Sequence, residues 1–204
     1  MNQNIIDNAI MHLNKFSEMN TIIKECEKPQ FEKINDHFNP IVKSIIYQQI
    51  SGKAAKSIYN RYIDLFDGKL PSSKLILNTN FDELKNIGLS KQKAQYIINV
   101  SNYFEEIGNN IDFKQLDDSA VYKELISIKG IGKWTIDMFL MFTLFRQDIF
   151  PTSDLGIQKG IKYIFNLKNL PTQEFMIQKA KPWQPYRTIA CWYLWRIVDD
   201  EVVW

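Results

Sequence analysis

The stretch Leu125-Ile-Ser-Ile-Lys-Gly-Ile-Gly-Lys-Trp-Thr135 decides the fold of this 204-residue chain. Its two glycines, Gly130 and Gly132, flank a single apolar residue, and helix-like apolar sequence lies on both sides. Glycines at a helix end allow a positive φ and a close approach of the backbone to another group. The next helix begins with unsatisfied backbone N–H groups and the positive end of its dipole, which together suit a phosphate. The stretch therefore predicts two helices joined by a tight turn that can face a phosphate.

This pattern is the sequence form of a helix-hairpin-helix, a motif that holds a DNA backbone without reading the bases. A glycine-spaced turn between helices is also a common structural turn, so the motif alone leaves both interpretations open. Carbonyl oxygens exposed at such a turn can hold a monovalent cation that bridges to phosphate. The expected ligands are the backbone carbonyls of Ile126, Ile128 and Ile131.

Asp154 follows Pro151-Thr-Ser and precedes Leu-Gly-Ile-Gln, so it stands where a helix is expected to begin. An aspartate at this position is most often a helix cap. The same position favours an ionised carboxylate, because the helix N-terminus is electropositive. Cleavage of a glycosidic bond uses an ionised carboxylate, since the sugar becomes oxocarbenium-like in the transition state. The hairpin upstream favours the catalytic interpretation of Asp154.

Apolar residues recur at helical spacing along most of the chain, and no segment alternates convincingly with a period of two. The predicted fold class is therefore all-α. Ser51 and Ser90 are predicted helix caps, and Asp118 or Ser119 is expected to cap the helix that enters the hairpin. The predicted helices include 41–50, 52–66, 81–88, 91–104, 134–145, 155–165, 173–179 and 185–199.

The charge and cysteine content limit the function classes. A net charge of +2 requires DNA binding to come from local groups and backbone amides. Two distant cysteines, Cys26 and Cys191, are expected to be reduced cytosolic thiols, and two are too few for a four-cysteine iron–sulfur cluster. No signal peptide and no membrane span are expected. We therefore expect a cytoplasmic protein, associated with the nucleoid if it is bacterial, that needs no cofactor beyond the hairpin cation.

Five segments together resemble the DNA-3-methyladenine glycosylases II of the AlkA type, in the helix-hairpin-helix superfamily of base-excision glycosylases. They span about residues 40–195 and follow the family order. The segments are Ile45-Ile-Tyr-Gln-Gln-Ile-Ser-Gly-Lys-Ala-Ala55, Ile87-Gly-Leu-Ser-Lys-Gln-Lys-Ala94, Ile128-Lys-Gly-Ile-Gly-Lys-Trp-Thr135, Pro151-Thr-Ser-Asp154 and Lys181-Pro-Trp-Gln-Pro-Tyr-Arg-Thr-Ile-Ala-Cys-Trp-Tyr-Leu-Trp195.

The resemblance implies a two-lobed all-α fold with an interlobe cleft that holds DNA and the flipped base. The expected organisation is one glycosylase domain over residues 1–204. Its central lobe would cover about residues 40–150, and the N- and C-terminal segments would form the second lobe.

Residue roles also follow from the resemblance. Asp154 matches the family's catalytic aspartate, and Trp134 and Trp192 match aromatic residues of the base pocket. Met138 stands where some members have a tyrosine, so the pocket is expected to differ in shape. Core packing is the competing explanation for Trp134. Gln49 falls where a side chain wedges into the gap left by the flipped nucleotide.

The hairpin residues take the remaining roles. Gly130, Gly132 and Thr135 are implied to direct backbone amides toward phosphate, and Lys133 is a further expected DNA contact. Bifunctional members place a nucleophilic lysine where this chain has Trp134. Lys133 lies one residue earlier, so on a helix it points about 100° away.

The resulting hypothesis is a monomeric, monofunctional DNA glycosylase, an N-glycosyl hydrolase of base excision repair that acts on damaged double-stranded DNA. It would remove alkylated purines of the 3-methyladenine and 7-methylguanine type after base flipping. An indole pocket attracts such flat cations by about 1–2 kcal/mol for each desolvated contact. The alternatives are a bifunctional oxidised-base glycosylase/lyase and a non-catalytic helix-hairpin-helix DNA-binding module.

Overall fold

The computed structural model describes residues 1–31 and 35–198, and all regular structure in these residues is helical. This confirms the predicted all-α fold class. None of the described helices is long and apolar enough to cross a membrane. Two short 3₁₀ helices, Gly108–Asn110 and Lys181–Trp183, accompany the α-helices. In chain order the α-helices are α1 Gln3–Leu13, α2 Ser17–Glu25, α3 Phe38–Tyr47, α4 Gly52–Asp64, α5 Ser73–Asn78, α6 Phe81–Asn86, α7 Lys91–Glu106, α8 Asp118–Ile126, α9 Lys133–Phe142, α10 Leu155–Ile164, α11 Gln173–Ala180 and α12 Arg187–Arg196.

The chain divides into two compact units, which we name the terminal unit (Met1–Lys33 with Leu140–Trp204) and the central unit (Ile34–Phe139). The boundary between them falls inside α9. Helix α12 ends at Arg196, earlier than predicted, and Asp199 of the predicted helix lies outside the described residues. The proposed extent of the single domain and its lobes stays a prediction.

In the central unit, α3 is buried along almost its whole length and packs against α4 and α7. The helix begins at Phe38 and not after Pro40, because Asp36 caps its start. The Asp36 Oδ1 atom accepts the N–H groups of Phe38 at 2.8 Å and Asn39 at 3.1 Å. Pro40 then lies in the first turn, where a missing backbone N–H costs no intrahelical hydrogen bond.

The predicted caps are largely confirmed. The side chain of Ser51 accepts the N–H of Ala54, and that of Ser90 accepts the N–H of Lys93. The cap predicted at Asp118 or Ser119 is wrong by one or two residues, since Asp117 caps α8. Its Oδ1 atom accepts the N–H of Ala120 at 2.8 Å and also the Ser119 hydroxyl at 2.7 Å, so Ser119 supports the cap without being it.

In the terminal unit, α12 lies in the core and packs against α1, α2 and α10. The approach of α10 to α12 depends on Gly160. A Cβ atom built on Gly160 would lie 2.8 Å from both the carbonyl oxygen and the Cβ of Leu194. The two helices therefore meet through their backbones, which fixes the distance between them.

Candidate active site and DNA-binding hairpin

The turn between α8 and α9 contains two glycines with different functions. Gly130 has a φ of 109°, and a Cβ atom there would lie 2.1 Å from Cγ of Tyr96. Both the backbone conformation and the packing therefore require glycine at 130. A Cβ atom at Gly132 would meet no described atom within 4 Å. Gly132 thus leaves open space at the N-terminus of α9, where an anion is favoured.

Neighbouring elements of the central unit hold this turn in place. The Nε2 atom of Gln48 donates to Oγ1 of Thr135 at 2.8 Å and lies 3.4 Å from the Gly130 carbonyl oxygen. Thr135 is buried, so this hydrogen bond is shielded from water. On the other side, Nδ2 of Asn99 donates to the Lys129 carbonyl at 2.9 Å. Hydrogen bonds from Gln48 and Asn99 therefore hold the hairpin turn in place on both sides.

Of the three carbonyls predicted to hold a cation, that of Ile126 ends α8, and those of Ile128 and Ile131 lie in the turn that follows. The Ile128 carbonyl accepts the N–H of Ile131 at 3.0 Å, which closes the turn. A carbonyl oxygen has two lone pairs, so this bond leaves the Ile128 oxygen able to coordinate a cation. Neutral carbonyl oxygens are ligands that suit a monovalent cation such as K⁺. The chemistry of the Ile126, Ile128 and Ile131 carbonyls fits the expected ion.

Lys133 is part of a cluster that the sequence did not indicate. Its ammonium lies 3.2 Å from Oδ2 of Asp137, and it stands over the Tyr122 ring at 5.2 Å from the ring centre. The Tyr122 hydroxyl donates to Oδ1 of Asp137. The Asp137 side chain is only 2% exposed, against 64% for Lys133. Lys133 therefore neutralises a buried carboxylate, and its DNA contact stays a prediction.

Gln49 lies outside any helix, so its predicted place in a helix extending to residue 50 is wrong. Helix α3 ends at Tyr47, and Gln49 has a φ of 56° in the loop that follows. The side chain is exposed, as insertion into a base stack requires. The adjacent Ile50 is also exposed, at 38%. The wedge function of Gln49 stays a prediction.

The aromatic residues predicted for the base pocket occur in both units. Trp134 and Met138 stand one turn apart on α9 and thus share a face of that helix. Trp134 is half-buried and Met138 is buried. Trp192 is buried on α12 in the terminal unit, with the Arg196 guanidinium 5.9 Å from its ring centre. Their function as one base pocket stays a prediction.

Asp154 caps α10, as its sequence context predicts. Its Oδ1 atom accepts the N–H of Ile157 at 2.8 Å. The same oxygen accepts a second hydrogen bond, from Nε1 of Trp195 at 2.8 Å. Two donors, one from the helix start and one from α12, therefore fix the orientation of the carboxylate.

Trp195 was missed by sequence reasoning, and Gly156 was the residue that could have indicated it. A Cβ atom at Gly156 would lie 2.6 Å from Cδ1 of Trp195 and 3.1 Å from Oδ1 of Asp154. Glycine in the first turn of a helix lowers its stability, so it indicates a close neighbour. The ring of Phe142 lies 5.7 Å from that of Trp195 and supports the indole.

Within residues 1–31 and 35–198, no group of three or more His, Cys, Asp or Glu residues is arranged to hold a metal ion. Neither Cys26 nor Cys191 forms a disulfide there. Burial raises the pKa of the Cys26 thiol, which lowers its nucleophilicity.

The all-helical fold and the helix-hairpin-helix turn indicate a protein family, and the comparison with known families gives the same family. The chain belongs to the HhH-GPD superfamily of base excision DNA repair proteins, whose family model matches residues 42–185. This match begins within α3 and includes α4, the hairpin and Asp154, and it confirms the resemblance inferred from the sequence.

Individual relatives and one solved structure within this superfamily are also similar to the chain. The chain is 30% identical to the putative DNA-3-methyladenine glycosylase YfjP of Bacillus subtilis, over 97% of this chain and 71% of that protein. It is 32% identical to the DNA-3-methyladenine glycosylase of Saccharomyces cerevisiae, over 97% of this chain and 69% of that protein. The structure of the Schizosaccharomyces pombe 3-methyladenine DNA glycosylase Mag1 with abasic DNA aligns with a TM-score of 0.87 at 27% identity, covering 93% of this chain and 95% of that one.

Proposed function

We propose that the protein is a monofunctional DNA glycosylase that removes alkylated purines, of the 3-methyladenine and 7-methylguanine type, from double-stranded DNA. The observation that carries this proposal is the Asp154 carboxylate, held at the start of α10 by Ile157 N–H and the Trp195 indole. Membership in the base excision repair superfamily and similarity to glycosylases named for 3-methyladenine support the substrate class.

The chemistry needs few protein groups. A purine alkylated at N3 or N7 carries a positive charge, so it departs as a neutral base without a general acid. As the bond breaks, positive charge develops on the sugar, and a fixed carboxylate stabilises that charge without having to reorient. Asp154 supplies this carboxylate, and water then attacks C1′ and leaves an abasic site.

DNA binding would begin at the hairpin. The open space beside Gly132 and the N-terminus of α9 receive a backbone phosphate. Flipping the damaged nucleotide costs a few kcal/mol, less for a damaged base. Gln49, exposed in the α3–α4 loop, fills the resulting gap in the stack. We propose that one copy of the chain performs these steps.

Water and not an amine is the proposed nucleophile. The position that carries a nucleophilic lysine in bifunctional members is Trp134 here, and the nearby Lys133 ammonium is bound to Asp137. The bifunctional glycosylase/lyase is therefore not favoured. A non-catalytic DNA-binding module would not explain why Asp154 is held by an indole from a separate helix.

We propose two further properties of the protein, a monovalent cation bound at the hairpin and a location in the cytoplasm. A monovalent cation at the carbonyls of Ile126, Ile128 and Ile131 would strengthen the hairpin's hold on phosphate. We therefore expect the protein to bind DNA more tightly in a potassium salt than in an equal concentration of a tetramethylammonium salt. The second property is a cytoplasmic location, which suits two cysteines without a disulfide.

Incubation with duplex DNA carrying N-methylated purines tests the function. We expect release of free 3-methyladenine and 7-methylguanine, measured by chromatography, with the abasic strand intact until alkali is added. Borohydride should trap no protein–DNA adduct, because no imine forms. Strand cleavage together with a trapped adduct would instead establish the lyase, and DNA binding without base release would establish the non-catalytic module.

A further inference from the structure

The loop between α3 and α4, residues 48–51, combines exposure with an uncommon backbone conformation. Gln49 and Ile50 both face solvent. Gln49 adopts the left-handed region with a φ of 56°, although it is not a glycine. A residue holds such a conformation only where the surrounding structure determines it. Two sets of contacts hold the adjacent Gln48 in place.

The first contact comes from Lys93, near the start of α7. Its Nζ atom donates to the carbonyl oxygens of Ile46 and Gln48, each at 2.8 Å. These carbonyls lie at the C-terminus of α3, where the helix dipole is negative and cations are favoured. Lys93 is half-buried, and burial lowers its pKa. Its charge therefore lies against the C-terminal carbonyls of α3 within the central unit.

The second contact reaches the hairpin. The side chain of Gln48 donates to the buried hydroxyl of Thr135 at 2.8 Å and lies 3.4 Å from the Gly130 carbonyl. The backbone of Gln48 is thus tied to α7, and its side chain is tied to the turn that faces phosphate. The loop and the hairpin are joined by hydrogen bonds through one residue.

We propose that Gln48 and Lys93 are positioning residues that hold the α3–α4 loop at a fixed distance from the hairpin. A phosphate bound at the hairpin then places the loop at the base stack. This inference rests on the proposed function, in which the hairpin binds phosphate and the loop enters the stack when a base is flipped. Neither residue touches the reacting atoms.

The physical consequence is a selective defect. Without these ties the loop must be ordered each time it enters the stack, and ordering costs conformational entropy. The hairpin amides and Asp154 would remain in place. Loss of Gln48 or Lys93 should therefore slow reaction at a lesion in a stacked pair, and should spare a lesion that is already unstacked.

The experiment compares Gln48→Met and Lys93→Met with matched controls on the same unit. Gln115→Met and Lys91→Met remove the same groups from exposed positions of the central unit. Base release is measured from a lesion in a paired duplex and from the same lesion in a bulge. We expect the paired-to-bulge rate ratio to fall about tenfold in the two test variants, since each loses hydrogen bonds, and to stay unchanged in the controls.

Thr135→Val removes the hairpin partner of Gln48 and keeps its shape. It should lower the same ratio, and it should add nothing to the loss in Gln48→Met, because Gln48→Met already breaks the hydrogen bond to Thr135. Equal losses on paired and bulged lesions, or additive losses in the double variant, would overturn the positioning role. Thr135→Val also provides the test if Lys93→Met does not fold.

Fluorescence of a 2-aminopurine placed beside the lesion site reports unstacking without catalysis. Wild-type protein should raise it, and Gln48→Met should not. A wild type that unstacks the base but releases none would refute the proposed function and leave the inference standing. A Gln48→Met variant with wild-type fluorescence would refute the inference alone.

Discussion

The indole Nε1 of Trp195 donates a hydrogen bond to Oδ1 of Asp154 at 2.8 Å, although the two residues lie 41 positions apart in the chain. The indole is buried, and the absence of a side chain at Gly156 leaves room for it. A hydrogen bond to a charged group contributes about 1.5–3 kcal/mol when its partner is removed. Orientation of the carboxylate therefore depends on a residue outside its own helix.

Trp195→Phe should lower the rate constant of base release by about tenfold to a hundredfold, because one donor to the carboxylate is lost. Affinity for abasic DNA should be unchanged. Trp183→Phe is the matched control, since Trp183 is buried and its Nε1 has no hydrogen-bond partner among the described residues. Equal losses in the two variants would mean that Trp195 acts only through packing.

Asp154→Asn should abolish base release while binding to damaged DNA survives. Asparagine is a good helix cap and can accept both hydrogen bonds, so α10 should stay folded. It carries no negative charge to stabilise the developing cation, and we expect a loss of at least about a hundredfold. The measurement is single-turnover release from 7-methylguanine DNA. Activity within tenfold of the wild type would remove Asp154 from the mechanism.

The two hairpin glycines should respond differently to alanine. Gly130→Ala combines a φ of 109° with a contact of 2.1 Å to Tyr96, so it should lower the free energy of unfolding by more than about 1 kcal/mol. It should also weaken binding to all duplexes about equally. Gly132→Ala meets open space and should leave unfolding unchanged while it weakens DNA binding. Full DNA affinity in folded Gly132→Ala would show that phosphate does not approach there.

Gln49→Ala should reduce activity on paired lesions more than on unpaired ones, because a wedge acts only where there is a stack to fill. Ile50→Ala is the informative comparison, since the neighbouring side chain is 38% exposed and apolar. The ratio of rates on paired and bulged lesions is measured for both. A larger change in Ile50→Ala would assign the wedge to residue 50.

Alkaline pH should unfold the protein in a defined window. Burial raises the pKa of Tyr59 and of Tyr193 to about 12, against about 10 for an unfolded tyrosine. The folded state thus favours the neutral phenols. This contribution to stability is complete below pH 10 and is lost as the pH rises through 12. Phenolate absorbance and circular dichroism should change together in that range. Complete ionisation of the tyrosines with an unchanged helical spectrum would contradict this.

The parts of the fold that sequence predicts are those set by nearby residues. Sequence predicts the helix caps at Ser51, Ser90 and Asp154 because each cap is a local interaction. Each side chain accepts the backbone N–H of the residue three positions ahead. Helix ends were less predictable. The apolar pattern of α3 continues to Ile50, but the chain leaves the helix after Tyr47.

The partners in the candidate site depend on tertiary structure. Asp154 could be identified from its sequence context, whereas Trp195 reaches it only because α12 packs on α10. Lys133 could be identified as basic, but its pairing with Asp137 depends on Tyr122 from α8. An aromatic or acidic residue inside a helix can have many different functions. Its contacts depend on how helices from distant parts of the sequence pack together.

The backbone contact at Gly160 has a consequence for genetics. Any side chain at position 160 would push against Leu194 and move α10, which is capped by Asp154, away from the helix that carries Trp195. Variants at 160 would then be isolated beside Asp154 variants in a screen for alkylation sensitivity, although the residue is distant in sequence from the hairpin. Sensitivity to substitution at this position would reflect the close spacing of two helices and not contact with DNA. A DNA-binding surface mapped from sensitive positions alone would therefore be too large.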